Sequence, residues 1–188
     1  ENIVKKKWLK TALLFVCLTL LIGCSENNGG KKGFQEEDKI SVVTTIYPVY
    51  DFACNVAGDK AEIINLVPAG MEPHDFELST GDMQLIEQAD VFIYNGADME
   101  HFVDKTLAAI SNEDLVVVEC AKDLELLQGE HTHEEDELHE EKGNTHSEAS
   151  LDPHTWLSVA NAIQEANAIK EALVAMDPEN AGAADFYF

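Results

Sequence analysis

The sequence contains no arginine, and its twelve lysines face 36 acidic residues, which gives a formal net charge of −24. A surface of this sign repels the phosphates of nucleic acids, so the composition argues against a nucleic-acid partner. The sequence also lacks the His-Glu-x-x-His motif of zinc hydrolases, a serine or cysteine nucleophile motif and a glycine-rich phosphate loop. The excess of carboxylates favours cations as partners instead.

Cysteine is scarce, since the chain has four cysteines in 188 residues. Cys17 falls within an apolar N-terminal stretch and Cys24 lies just beyond its end, so only Cys54 and Cys120 belong to the later part of the chain. Two cysteines do not make a disulfide framework, although one disulfide is permitted outside the cytoplasm. We interpret Cys54 and Cys120 as small buried hydrophobic residues.

The N-terminus has the pattern of a lipoprotein signal peptide. Four lysines precede an apolar stretch, 12–22, which is too short for a permanent membrane helix of about 20 residues and ends in Leu-Ile-Gly-Cys. We predict that residues 1–23 are removed, that Cys24 is the lipid anchor of an extracytoplasmic protein at the cell membrane, and that 24–38 form a flexible tether. The remaining chain then carries eight lysines and 35 acidic residues, a net charge of −27. An ordinary signal peptide, with Cys24 incidental, is the alternative.

From residue 39 onward, short apolar runs alternate with amphipathic stretches. The runs predict strands over 40–46, 61–67, 89–94 and 115–120. The amphipathic stretches predict helices over 48–57, 99–110 and 158–176. A further helix is predicted to begin at a capping box of Ser79 and Asp82 and to continue through Met83, Ile86 and Ala89, which share one face. This alternation predicts an α/β lobe, 39–176, with a parallel four-stranded sheet and flanking helices.

Residues 123–150 have a different composition from the rest of this lobe. They contain many acidic residues, few apolar ones and the histidines His131, His133, His139 and His146. We predict a loop outside the core that acts as a second, looser metal-collecting device. The alternative is a solvated acidic loop that happens to contain histidines.

Two Pro-His dipeptides lie 80 positions apart, at Pro73-His74 and Pro153-His154. Each follows a predicted strand, and the carboxyl ends of parallel strands meet at one edge of a sheet, where such folds bind ligands. Neutral imidazoles are zinc ligands, so we predict that His74 and His154 bind one transition-metal ion. Glu72 could add an oxygen ligand. His101, on the predicted helix after the third strand, is interpreted as a surface residue without a metal role.

The two segments that contain these dipeptides resemble a known family. GMEPHDFELSTGDMQLIEQADVFIYNGADMEHFVDK and LDPHTWLSVANAIQEANAIKEALVAMDPENA are similar to the zinc-uptake branch of the metal-binding solute-binding lipoproteins of bacterial ABC transporters. The resemblance implies two α/β lobes joined by a long helix, with the metal in the cleft between them. It places the first two ligands on His74 and His154 and the others in a second lobe. The chain would then be the N-terminal portion, with 177–188 beginning the linker helix.

The resemblance also implies a function, which is capture of Zn²⁺ and its delivery to an ABC transporter permease by a monomer that is not an enzyme. The acidic loop 123–150 is similar to the loop that zinc-type members carry. Val159 departs from the family, which often has proline there. A manganese-binding (Mn²⁺) or adhesive surface lipoprotein of the same fold is the nearer alternative, and a zinc-dependent hydrolase is the more distant one.

Overall fold

The computed structural model describes residues 33–36, 38–127 and 151–180. The predicted signal peptide, the lipid-anchor residue Cys24 and the four loop histidines His131, His133, His139 and His146 lie outside these residues, so their roles stay predictions. None of the helices in the described ranges combines the length and apolarity that crossing a bilayer requires.

Four parallel strands form one sheet. They are β1 (Ile40–Thr44), β2 (Ala61–Asn65), β3 (Val91–Tyr94) and β4 (Val116–Glu119). Their order is β2-β1-β3-β4, with Val42 of β1 opposite Ile63 of β2 on one side and Val91 of β3 on the other. The predicted α/β class and parallel four-stranded sheet are therefore confirmed. The chain changes direction across the sheet between β1 and β3, which is where open α/β sheets bind ligands.

Four helices flank the sheet, namely α1 (Tyr47–Ala57), α2 (Thr80–Gln88), α3 (Val103–Ala109) and α4 (Val159–Met176). The predicted capping box at the start of α2 is present, because Ser79 N–H donates to Asp82 Oδ2 at 2.9 Å and Asp82 N–H donates to Ser79 Oγ at 3.2 Å. Ala89, expected on the helical face, is the C-cap residue of α2 and is still buried.

Helix α3 begins four residues later than the predicted start at Met99. The preceding residues Gly96, Ala97 and Asp98 have positive φ angles of 83°, 52° and 61°, a left-handed run that no helix contains. Met99 and Glu100 then turn inward and are 1% and 7% exposed. The apolar spacing suggested a longer helix because Met99 is a core residue, but it reaches the core from a loop.

The core has two layers, one on each face of the sheet. Val42 and Ile93 pack with α1 and α4, whereas Val43 and Phe92 pack with α2 and α3. On α4, the apolar residues Ala166, Ile169 and Leu173 are buried at spacings of three and four, while Met176 at the end of the helix is 39% exposed. Both faces of the sheet are covered, as parallel sheets require.

The two later cysteines are free thiols in the structure. Cys120 is buried in the core, and burial raises the pKa of its thiol, whereas Cys54 is half-buried on α1. The interpretation of these cysteines as packing residues is confirmed for Cys120.

Candidate metal centre

His74 lies in a 3-10 turn, Pro73–Asp75, in the segment that follows β2. Its backbone N–H donates to Glu72 Oε1 at 3.4 Å, and its ring is half-buried. Two residues later, Phe76 packs edge to face against Phe102, with ring centres 5.6 Å apart. This contact connects the segment of His74 to the loop between β3 and α3.

His154 is exposed, but its ring has a defined partner. Its Nδ1 lies 2.8 Å from Asp152 Oδ1, which also accepts the backbone N–H of His154 at 3.0 Å. The backbone bond and, to a smaller extent, the ring bond lower the pKa of the Asp152 carboxyl. With Nδ1–H donated to a carboxylate, Nε2 carries the lone pair and is free to bind a metal. The ring also packs edge to face with Trp156 at 5.4 Å.

The segment that carries His154 is attached to the end of β3 through Asn95. The fully buried Asn95 side chain donates from Nδ2 to the Pro153 carbonyl oxygen at 2.9 Å and accepts from Thr155 Oγ1 at 3.3 Å. One amide therefore bonds to the residues on both sides of His154. This bridge could not be predicted from the sequence, because it joins residues that are far apart in the chain.

Glu100 stabilises the loop between β3 and α3. Its carboxylate accepts from Thr45 Oγ1 at 2.5 Å, Asn95 N–H at 2.8 Å and Gly96 N–H at 3.0 Å. Burial raises the pKa of this carboxyl, although the three hydrogen bonds oppose the shift. Since Thr45 follows β1 and Asn95 follows β3, Glu100 joins the two central strands at their carboxyl ends.

Gly96 is required in this loop for two reasons. Its φ is 83°, and a Cβ atom at this position would lie 2.6 Å from Glu119 Oε1. The other carboxyl oxygen of Glu119 accepts from the Tyr94 hydroxyl at 3.2 Å. Burial, followed by the nearby Glu119 charge, raises the pKa of Tyr94 to about 12. The β3 and β4 ends are thereby packed closely beside the site.

The structure brings the rings of His74 and His154 together, as their positions in the sequence indicated. Their centres are 6.0 Å apart at an angle of 71° between the ring planes. A zinc ion lies about 2.0–2.1 Å from a ligating imidazole nitrogen and about 3.2 Å from the ring centre, so two rings at a tetrahedral angle have centres about 5 Å apart. Small side-chain rotations would thus let both rings bind one ion, and this ligand role stays a prediction.

His101 is exposed, as the sequence predicted, but its sequence context did not indicate a metal ligand. Its ring centre is 6.2 Å from that of His74. The available signal was its place after β3, which matches the places of His74 after β2 and His154 after β4, but assigning His101 to a helix obscured this parallel. As the side chains stand, the described part of the chain has no group of three or more His, Cys, Asp or Glu residues arranged to bind a metal ion.

Comparison with known proteins finds relatives that are named for zinc binding and zinc uptake. Residues 42–185 match the family model described as zinc-uptake complex component A periplasmic. The chain is 35% identical over 173 residues to the zinc-binding lipoprotein AdcA of Streptococcus pneumoniae, covering 92% of this chain and 33% of AdcA. It is 34% identical over 175 residues to the high-affinity zinc uptake system protein ZnuA of Bacillus subtilis, covering 93% of this chain and 54% of that protein.

A solved structure shows the same fold. The Zn(II)-bound ZnuA-like domain of S. pneumoniae AdcA superposes with a TM-score of 0.63 and 32% sequence identity, covering 78% of this chain and 48% of that one. The chain therefore spans between one third and about one half of the length of the curated relatives it matches. By its sequence and its fold, the chain belongs to the family of zinc-uptake complex component A, periplasmic.

Proposed function

We propose that the chain is the N-terminal lobe of a lipoprotein that captures Zn²⁺ outside the cytoplasm and delivers it to the permease of an ABC transporter. The observation that carries this proposal is the approach of the His74 and His154 rings to 6.0 Å at the carboxyl ends of parallel strands. Two relatives, AdcA and ZnuA, support the proposal, because they are named for zinc binding and zinc uptake.

The donor chemistry fits zinc. Imidazole nitrogen is a common zinc ligand, and a ligating histidine usually donates its second ring N–H to a carboxylate, as His154 does to Asp152. A closed tetrahedral shell has four ligands, so two imidazoles leave two positions for other groups. A second lobe would supply these groups in the complete protein, and water would fill them in this chain alone.

Capture and release require no reaction on the ion, so the proposed protein is a carrier and not an enzyme. We propose that it works as a monomer. The lipid on Cys24 would keep the protein at the outer face of the cell membrane, next to the permease. The acidic, histidine-containing residues 123–150 would raise the local concentration of Zn²⁺ near the site. Both of these roles rest on sequence, since Cys24 and most of that segment lie outside the described residues.

Calorimetry of the chain with Zn²⁺ and Mn²⁺ tests the proposal. The four loop histidines His131, His133, His139 and His146 are first replaced by glutamine, so that the remaining zinc binding comes from the sheet edge. One zinc ion should bind at pH 7.5, more tightly than manganese, which prefers oxygen-rich shells. The imidazole of free histidine takes up a proton near about pH 6.5, and only the neutral ring ligates, so zinc affinity should fall strongly at pH 5.5.

Two results would overturn the proposal. Equal zinc affinity at both pH values would exclude histidine ligation, and unchanged affinity after His74→Ala would exclude this site. Manganese binding more tightly than zinc would instead favour the manganese-type member of the same fold.

A further inference from the structure

His74 has two imidazole neighbours, His154 and His101. His101 lies with His74 along a groove from which His154 is absent. His74 and His101 both line an open groove of about 530 Å³, together with the aromatic residues Phe76 and Phe102. His154 is not part of this lining and faces a different depression, beside Leu127 and Asn161. An ion that enters along the groove therefore meets the His74 and His101 rings.

The position of His101 is set by the structure on both sides of it. The preceding residue, Glu100, is 7% exposed and bonds to the ends of β1 and β3. The following residue, Phe102, packs edge to face against Phe76, which follows His74 by two positions. The backbones of the two histidines are thus fixed relative to each other, so the fold keeps their rings within reach of one another, with ring centres 6.2 Å apart in the structure.

The ring of His74 is free to turn toward either neighbour. Within the described ranges, neither its Nδ1 nor its Nε2 has a hydrogen-bond partner, and its two ring contacts are with His101 and His154. The distances to these neighbours, 6.2 Å and 6.0 Å, are nearly equal. Both exceed by about 1 Å the separation of about 5 Å expected for two rings that share a zinc ion.

We propose that His101 is a third metal-ligating residue, which forms with His74 a second imidazole pair for Zn²⁺ beside the pair of His74 and His154. The two pairs share the ring of His74, so one ion occupies one pair at a time. An ion bound first by His101 and His74 in the open groove passes to His74 and His154 by a turn of the His74 ring, without release into solvent. This inference rests on the proposed function and adds an entry step to it.

The test uses the full chain with the four loop histidines replaced by glutamine. The sequence has seven histidines, so three imidazoles remain, at positions 74, 101 and 154. Nitrogen NMR of the ¹⁵N-labelled rings at pH 7.5 is followed during addition of Zn²⁺, with each signal assigned from a single substitution. The expected result is that a ring-nitrogen signal of His74 shifts fully to the metal-bound position, while those of His101 and His154 each shift part of the way, in proportion to the time the ion spends on each pair.

Calorimetry of substituted chains provides the second readout. His154→Gln should weaken zinc binding without abolishing it, because the His74 and His101 pair remains, and adding His101→Gln should weaken binding by at least about tenfold more. Glutamine keeps the size of the side chain but lacks the nitrogen ligand that zinc prefers. His101→Cys in the same background should restore binding, because thiolate is also a zinc ligand, and a merely structural role would not show this rescue.

The outcomes separate this inference from the proposed function. If the His101 ring signals do not respond to zinc and His101→Gln has no effect in the His154→Gln background, His101 is not a ligand, while the His74 and His154 site is untouched. If none of the three rings responds, the proposed function fails as well. If His154→Gln alone abolishes binding, the second pair does not exist.

Discussion

The two Pro-His segments share a dipeptide but differ in how they hold their histidine. The His154 ring is bonded to Asp152 at 2.8 Å and packed against Trp156. The His74 ring has no hydrogen-bond partner in the described part of the chain and lies between two other imidazoles. A fixed ring loses little conformational entropy when it binds an ion, whereas a free ring can meet the ion from more than one direction. The comparison indicates one preorganised ligand and one adaptable ligand.

The difference originates in the acidic residue two positions before each histidine. Asp152 and Glu72 both accept the backbone N–H of their histidine, at 3.0 Å and 3.4 Å. The short aspartate side chain forms the compact turn typical of this residue, and the same oxygen also reaches the ring. The longer glutamate contacts the backbone of His74 and not its ring. The Asp152 carboxylate therefore orients the imidazole of His154, whereas Glu72 leaves that of His74 unbonded.

The largest effect is expected from removing the carboxylate that orients His154. Asp152→Asn should lower zinc affinity by about 10–100-fold, the usual range for a carboxylate that orients a ligating histidine. The matched control is Glu72→Gln, which removes the corresponding carboxylate from the His74 segment and should leave affinity nearly unchanged. Calorimetry at pH 7.5 in the chain without loop histidines provides both values.

A larger loss of zinc affinity for Glu72→Gln than for Asp152→Asn would contradict the proposed difference between the two segments. A large loss on Glu72→Gln would show that Glu72 supplies an oxygen ligand, and no loss on Asp152→Asn would show that the His154 ring needs no orientation. Equal losses would mean that both segments use their carboxylate in the same way.

The next largest effect should come from Asn95, whose side chain bonds to both neighbours of His154 and to Gly96 but not to the segment of His74. Asn95→Ala leaves the Pro153 carbonyl and the Thr155 hydroxyl without this partner, so the free energy of unfolding should fall by about 1–3 kcal/mol. Chemical denaturation measures this loss. Histidine-ring NMR should show a greater change at His154 than at His74, and equal changes at the two rings would contradict the separate support of the segments.

The smallest effect concerns Glu165 on α4, beside Thr155. Both carboxyl oxygens are buried without a well-aligned hydrogen bond from the described residues, and burial raises the pKa, which the nearby Thr155 hydroxyl only partly offsets. A carboxyl whose pKa is raised on folding destabilises the folded state at pH values above that pKa, and the penalty is relieved as pH falls toward the unfolded value. Glu165→Gln should therefore stabilise the chain by about 1 kcal/mol at pH 7 and by less at pH 4.5.

Thermal or denaturant unfolding at the two pH values measures this difference. Glu171→Gln, the same change at an exposed position of α4, is a suitable control and should alter stability little at either pH. A Glu165→Gln chain that is less stable at pH 7 would show that the carboxylate has a stabilising partner.

The sequence predicted the parts of this fold that depend on local patterns. Alternating apolar runs identified the four strands, and the capping box of Ser79 and Asp82 located the start of α2. The convergence of His74 and His154 followed from topology, because parallel strands place their carboxyl ends at one edge. These features were accessible because each is encoded within a few residues or follows from a general rule of sheet connection.

Features that depend on side-chain contacts between distant segments were not accessible. The start of α3 depends on the bonds of Glu100 to Thr45 and Asn95. The position of His101 after β3 indicated its edge of the sheet, but the spacing of its ring from that of His74 depends on the packing of Phe76 on Phe102. The attachment of the His154 segment depends on Asn95, which is 58 positions from Pro153. No pattern within a short window of sequence encodes such contacts.

The central claim is that His74 and His154 bind the same zinc ion. The most direct measurement is anomalous diffraction at the zinc absorption edge from crystals, grown with Zn²⁺, of the chain in which the four loop histidines are replaced by glutamine. We expect one peak about 2.0–2.1 Å from a ring nitrogen of His74 and from Nε2 of His154. Zinc bound elsewhere with neither ring in contact, or separate ions on the two rings, would contradict it.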